Sequence, residues 1–170
     1  MERSQSAAGS AVVASLEGTR PLLMEIQALV SHSGLANPRR TSIGIDSSRV
    51  SLLVAVLEKI VGLHLSDQDI FVNVAGGLKI QETALDLGCA AAIFSSFHNK
   101  PLDPNTILIG EIGLTGEIRA VSRIEARLNE AEKLGFKKAF IPKGNASKKL
   151  SLEKIDVTPV AKIADFFQGL

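Results

Sequence analysis

The spacing of apolar residues lays out the elements of the chain. Residues 11–15 alternate weakly, Glu17-Gly18-Thr19 makes a turn, and residues 21–31 return as a longer strand. In that strand Leu23, Glu25 and Gln27 alternate with Met24, Ile26 and Ala28. Two such runs around a short glycine-bearing link predict a hairpin. Residues 32–40, with Gly34 and Pro38, read as a loop, and 41–45 as a short strand. Val50, Val54, Leu57 and Val61 recur at helical spacing, joined by Leu53 and Ile60. Asp46 is placed to cap that helix, and Gly62 to stop it.

Residues 69–74 form a further strand, ending at the turn Gly76-Gly77. A helix from about 83 to 98 is apolar nearly all round, which predicts a central position. A strand at 107–109 leads into a glycine-rich stretch, 110–118, that reads as tight β-turn structure. A helix over 123–134 ends at Gly135, and a strand over 138–141 is closed by Pro142. A short helix near 146–150, a strand near 156–160 and a last helix to 167 complete the chain. Strands first, then strands alternating with helices, predict a mixed-sheet α/β domain. A chain of 170 residues supports one domain with a sizeable core. That domain is assigned to residues 10–170, and 1–9 read as a flexible linker or an artificial start.

Composition narrows the function. Seven Phe and no Trp or Tyr leave the core to Leu, Ile, Val and Ala, and offer few stacking platforms for single-stranded nucleic acid. Cys89, the single cysteine, allows no internal disulfide; its apolar surroundings predict a buried, inert thiol in a reducing cytoplasm. No apolar run is long enough to span a membrane. The net charge of +1 hides a separation. Residues 119–154 hold ten Lys or Arg against four Glu, a net of +6, while the rest holds nine basic against fourteen acidic residues, a net of −5. Such a separation points to an anionic partner, against the alternative of a solvated helix surface. The candidates are Arg39 and Arg40, then Arg119, Arg123 and Arg127, then Lys137, Lys138, Lys143, Lys148 and Lys149. Pairing of Arg123 and Arg127 with Glu130 is the competing explanation for those two.

Other constellations are weaker. There is no Walker A phosphate loop: Gly76-Gly77-Leu78-Lys79 is too short to serve as one. No Cys-x-x-Cys pair is present for zinc, and His32, His64 and His98 are far apart. Asp67 and Asp69 read as a turn or cap before a strand.

Between 72 and 142 the order of motifs is Thr83-Ala84-Leu85-Asp86 at a helix start, Lys100-Pro101-Leu102, Gly110-Glu111-Ile112-Gly113-Leu114-Thr115-Gly116, Gly135-Phe136-Lys137 and Ile141-Pro142. This order resembles the Lon proteolytic domain, which implies a two-layer mixed-sheet α/β fold of the ribosomal-protein-S5-domain-2-like kind. Over almost the whole chain, Glu17-Gly18-Thr19-Arg20-Pro21, Pro38-Arg39-Arg40-Thr41, Asn73-Val74-Ala75-Gly76-Gly77 and the stretch 110–117 are similar to the C-terminal Lon-like domain of the RadA (Sms) family, bacterial DNA-repair relatives of RecA. The resemblance implies a fragment of a larger protein whose zinc finger and RecA-like ATPase, with their zinc and ATP, lie outside this chain. It implies no cofactor in the domain itself and a cytoplasmic location. It also implies a hexameric homo-oligomer, double-stranded or branched DNA as partner, and recombination or replication proteins as further partners.

The resemblance aligns Ala84 with the Lon serine and Glu125 with its lysine. A Ser-Lys peptidase needs a hydroxyl nucleophile, a neutral lysine and oxyanion donors. Ala84 offers no nucleophile, and Glu82 and Asp86 bracket the place where an oxyanion would form. Ser122-Arg123-Ile124-Glu125 also reads as a capping box, and Thr83 as a cap hydroxyl already engaged. Three functions follow: a non-catalytic DNA-binding and oligomerisation domain, a ring scaffold or protein-docking module without DNA contacts, and a residual Ser/Thr–Lys peptidase.

Overall fold

A computed structural model describes residues 6–146 and 150–170. Strands β1 (Ser10–Glu17) and β2 (Arg20–His32) form the antiparallel hairpin read from the sequence, with Ala14 opposite Leu23. Strand β4 (Gln68–Val74) runs antiparallel to β2, and the edge strand β3 (Arg40–Ile43) runs parallel to β4. Beyond β1, strands β5 (Thr106–Leu108), β8 (Lys138–Pro142) and β9 (Asp156–Val160) are added in parallel. The order is β3-β4-β2-β1-β5-β8-β9, a mixed sheet in an α/β domain as expected. A separate ribbon pairs β6 (Glu111–Ile112) with β7 (Ile118–Arg119), around the glycine-rich turn.

Helix α1 (Ser47–Val56) starts where Asp46 accepts the Ser48 N–H at 2.9 Å. Its last turn widens into a π-turn over Leu57–Val61, closed by Gly62 at φ 85°. That angle lies in the left-handed region glycine adopts freely. Helix α2 (Asp86–His98) follows a 3₁₀ turn at Thr83–Leu85. Helix α3 is Ile124–Lys133 and α4 is Ile163–Gln168. The short helix expected near 146–150 is not formed over its described part. A 3₁₀ turn ends at Asn145, Leu150 is irregular, and 147–149 lie outside the described residues.

Alternation along β1 sorts the interior into two cores. Ala11 and Val13 join the larger one, with α1, α2 and α4. Ala14 joins a second, with Ile124, Leu128 and Ala131 of α3 and with Phe136 and Ile141. Helix α2 lies close on β1: a Cβ at Gly88 would come within 2.1 Å of Val13 Cγ1, so no larger residue fits there. Helix α3 covers the opposite face and adds a third layer over the β1–β5–β8 half. The cause is visible in β5, where three consecutive residues are buried, the mark of a strand covered on both faces. On that face β3, β4 and the C-terminal part of β2 stay open, while Leu23 at the start of β2 packs under α3. Leu29 stands opposite Phe71 there, with Leu29 59% and Ile43 60% exposed.

The connection into β9 is pinned by a single oxygen. Glu132 Oε2 on α3 accepts the backbone N–H groups of Glu153, Lys154 and Ile155 at 3.0, 2.8 and 3.2 Å. These donors hold its carboxyl below the usual range.

Candidate functional site

The turn that leads into α2 is the centre of the candidate site. Ala84 is buried, and its carbonyl accepts the Gly110 N–H at 2.9 Å, stitching the turn to the glycine-rich stretch. No hydroxyl stands at this position. Thr83 is not held by a cap; its Oγ1 donates to Glu111 Oε2 at 2.8 Å. Its hydroxyl is engaged, by a partner other than the one expected.

Both carboxylates that bracket Ala84 are tied to arginines. Glu82 takes Arg127 in a two-pronged pair, with Oε1 2.5 Å from Nη1 and Oε2 3.0 Å from Nη2, and it also accepts the Leu16 N–H at 2.8 Å. Burial would raise its pKa, but these partners outweigh burial and hold it below the usual range. Asp86, fully buried, accepts Arg49 Nε–H at 2.9 Å, a second bond from Arg49 Nη2, and the Ile112 N–H at 3.0 Å. Burial pushes the Asp86 carboxyl up and the Arg49 partner opposes the rise. Arg49 is the residue that sequence reasoning missed. The signal was Asp86 itself, because a lone carboxylate on an all-apolar helix needs a buried cation. A groove beside the turn is lined by Asp46, Ser48, Arg49, Lys79, Gln81 and Thr83. It offers charges of both signs, and its hydroxyls on Ser48 and Thr83 are already bonded to carboxylates.

Glu125 is exposed on α3, and the capping box is not formed. The N-cap residue is Arg123, at φ 53° and ψ 44°, and it makes no side-chain cap bond. A non-glycine residue in this region costs about 1–2 kcal/mol. The reversal puts Ser122 one residue outside the helix, where its carbonyl accepts Arg127 Nε–H at 2.9 Å. Arg127 also donates to the Ala14 carbonyl at 2.8 Å and is 1% exposed. It is therefore corrected from a surface candidate to an internal bolt between α3, β1 and the Ala84 turn.

The remaining basic candidates fall into separate places. Arg39 pairs with Asp69 through its backbone N–H at 2.6 Å and Nη2 at 2.9 Å, and its guanidinium lies 5.5 Å from the Phe71 ring centroid. These bonds hold the Asp69 carboxyl at about 2. Arg40 donates to the carbonyls of Gln68 and Leu65, the latter at 2.9 Å. Both arginines fasten β3 to the start of β4. Arg119 is 58% exposed and stands 3.7 Å from Glu111 and 3.6 Å from Glu117. Arg123 is exposed at the start of α3. Lys137 and Lys138 are exposed at the start of β8, the far end of α3 from Arg123. Lys148 and Lys149 lie outside the described residues. The basic stretch of the sequence is thus divided between two ends of the domain.

His32 stands 3.4 Å from Asp67, and His98 packs on Phe94 and Phe97. Among the described residues no group of three His, Cys, Asp or Glu could hold a metal, and no helix is long and apolar enough to cross a membrane. Cys89 is buried and its thiol is pushed up to about 12 by burial, which leaves it inert.

Residues 33–145 match a family model described as subunit ChlI of Mg-chelatase. The chain is 54% identical over 164 residues to DNA repair protein RadA of Halalkalibacterium halodurans, covering 96% of this chain and 36% of the relative. It is 54% identical over 164 residues to DNA repair protein RadA of Bacillus subtilis, with the same two shares. It is 51% identical over 157 residues to DNA repair protein RadA of Haemophilus influenzae, covering 92% of this chain and 34% of the relative. The chain spans about a third of the length of these curated relatives.

Proposed function

The chain belongs to the family described as subunit ChlI of Mg-chelatase, and from that premise we propose that it is a Lon-like, non-catalytic DNA-binding and oligomerisation domain of a RadA-type DNA repair and recombination ATPase. The observation that carries the non-catalytic part is the closed shell around Ala84. Where a Ser-Lys peptidase needs a nucleophile and a free base, this chain has a methyl group between two carboxylates, each held by an arginine. Glu125 is exposed and Thr83 is engaged by Glu111. The DNA-binding part is supported by relatives named DNA repair protein RadA and by the exposed cations Arg119, Arg123, Lys137 and Lys138. Several copies in a hexameric ring in the cytoplasm would multiply these weak phosphate contacts.

The test is binding of this chain to labelled duplex DNA by fluorescence anisotropy, at about 50 and about 200 mM salt, with its mass in solution recorded alongside. Binding that weakens several-fold across that range supports phosphate contacts in this domain. A ring-sized species with no binding at the lower salt would overturn them. It would leave the second reading, a scaffold that docks a protein partner, which the exposed Leu29 and Ile43 on the open sheet face favour.

A further inference from the structure

The seven-stranded sheet has two outer edges, β9 and β3, and the chain treats them differently. On β9 the Asp156 N–H donates inward to the Lys137 carbonyl, so Val157 and Pro159 turn their backbone outward. Pro159 has no N–H to offer. The end of that strand is covered, because the Ile118 N–H donates to the Ala161 carbonyl at 2.8 Å. A proline and a covered end both guard an edge strand against further pairing.

No such guard stands on β3. The Ile70 N–H donates to the Arg39 carbonyl at 2.9 Å, which sets Arg39, Thr41 and Ile43 facing β4 and turns the backbone of Arg40, Ser42 and Gly44 outward. The Gly44 carbonyl accepts the Ile80 N–H at 2.7 Å, where the chain runs parallel to Ile45 and lends the edge one bridge of its own. Among the described residues nothing pairs with the backbone of Arg40 or Ser42. The strand is also held ready. Arg39 and Arg40 fasten it to β4 through Asp69 and the carbonyls of Gln68 and Leu65. A preformed edge asks little ordering of a partner.

The side chains along the edge define what fits. Thr41 and Ile43 stand in register with Phe71 and Asn73 on the open sheet face, beside Leu29, and Ile43 is largely exposed. Ser42 lies on the other face, in register with buried Val72, and its Oγ is buried with no hydrogen-bond partner among the described residues. Charges around the edge balance. Arg39 is paired with Asp69, Arg49 with Asp86 and Arg127 with Glu82, while Arg40 and Lys79 are set against Asp46 and Asp67.

We infer that the outer edge of β3 receives an extended, uncharged segment of a partner protein as an added strand. The backbone of that segment pairs with Arg40 and Ser42. Its apolar side chains lie beside Thr41 and Ile43, and a hydroxyl or amide side chain between them meets Ser42 Oγ. The inference goes beyond the DNA-binding reading and holds whether or not this domain touches DNA.

The probes are N-acetylated, C-amidated peptides of about seven residues that alternate Val or Ile with Thr or Gln, set against scrambled peptides of the same composition. The alternating peptides should bind the chain and slow hydrogen exchange at the Arg40 and Ser42 amides, which exchange fast in the free chain. Because the charges balance, affinity should change less than about twofold between about 50 and about 200 mM salt, unlike duplex binding. N-methylation of the peptide amides on one side of the strand should weaken binding about tenfold or more, and methylation on the other side should leave it unchanged. Ser42→Pro gives β3 the guard that β9 already has. It should weaken binding to the same degree and keep the thermal midpoint, since the lost N–H serves no bond of the fold. Should that variant unfold, the methylated peptides carry the test, because they leave the protein untouched. Scrambled peptides that bind as tightly, or two methylated sides that bind alike, would overturn the inference. So would Arg40 and Ser42 amides already protected in a self-associated chain without peptide, which would make a second copy the occupant. Neither result bears on duplex binding, which is read separately.

Discussion

Arg123 and Arg127 stand one helical turn apart at the start of α3, and the protein uses them in opposite ways. Arg127 points inward, where Glu82, the Ala14 carbonyl and the Ser122 carbonyl take up its donors. Arg123 is exposed, on a strained backbone at the helix start. The same side chain serves as a bolt in one place and as free charge in the other. What differs is the surface that α3 lays down: one face meets β1 and the Ala84 turn, and the other meets water. The Ala84 turn is enclosed by internal ion pairs, and the exposed cations lie elsewhere.

Removing the inner arginine breaks this contrast most severely. Arg127→Met keeps an apolar stem but strands the Glu82 carboxylate and two carbonyls, and should destabilise the fold by about 3 kcal/mol, read from the urea midpoint. Asp86→Asn leaves Arg49 without its counter-charge. Because Arg49 retains some solvent contact, a smaller loss of about 2 kcal/mol is expected in the same titration. Arg123→Gly should act in the other direction, stabilising by about 1 kcal/mol through relief of its backbone, while DNA binding weakens.

The pair between Arg39 and Asp69 is intermediate, with the arginine 60% exposed and the carboxylate 3%. Asp69 is held at about 2 against its ordinary value of 3.8. The folded state therefore binds fewer protons than the unfolded one as pH falls through this interval. The contribution is complete above 3.8 and is lost on descending toward 2. Thermal midpoints between about pH 5 and about pH 2.5 should fall less steeply in Asp69→Asn than in the unchanged chain.

Most elements were legible in the sequence because their periods were unambiguous. The hairpin, α1 with its Gly62 stop and the buried α2 all follow from apolar spacing. The third layer was less visible, because a helix on the second face of β5 shows only as a three-residue buried run. In the site, the absence of a nucleophile at Ala84 could be read directly, but the partners of Glu82 and Asp86 could not. Arg49 and Arg127 reach them across 37 and 45 residues of chain. The capping box is not formed because Arg123, in the left-handed region, takes the N-cap position, which leaves Ser122 one residue outside the helix and out of register with Glu125.

The Glu132 carboxylate has a consequence for how the chain opens. Three successive amides, at Glu153, Lys154 and Ile155, lie outside any strand yet all donate to it. Their hydrogen exchange should be slow, unlike that of ordinary loop amides. In Glu132→Ala those amides should exchange quickly, and trypsin should cut after Lys154 sooner than in the unchanged chain. One side chain on a helix would thereby set the lifetime of residues 153–155, which lie in no helix or strand.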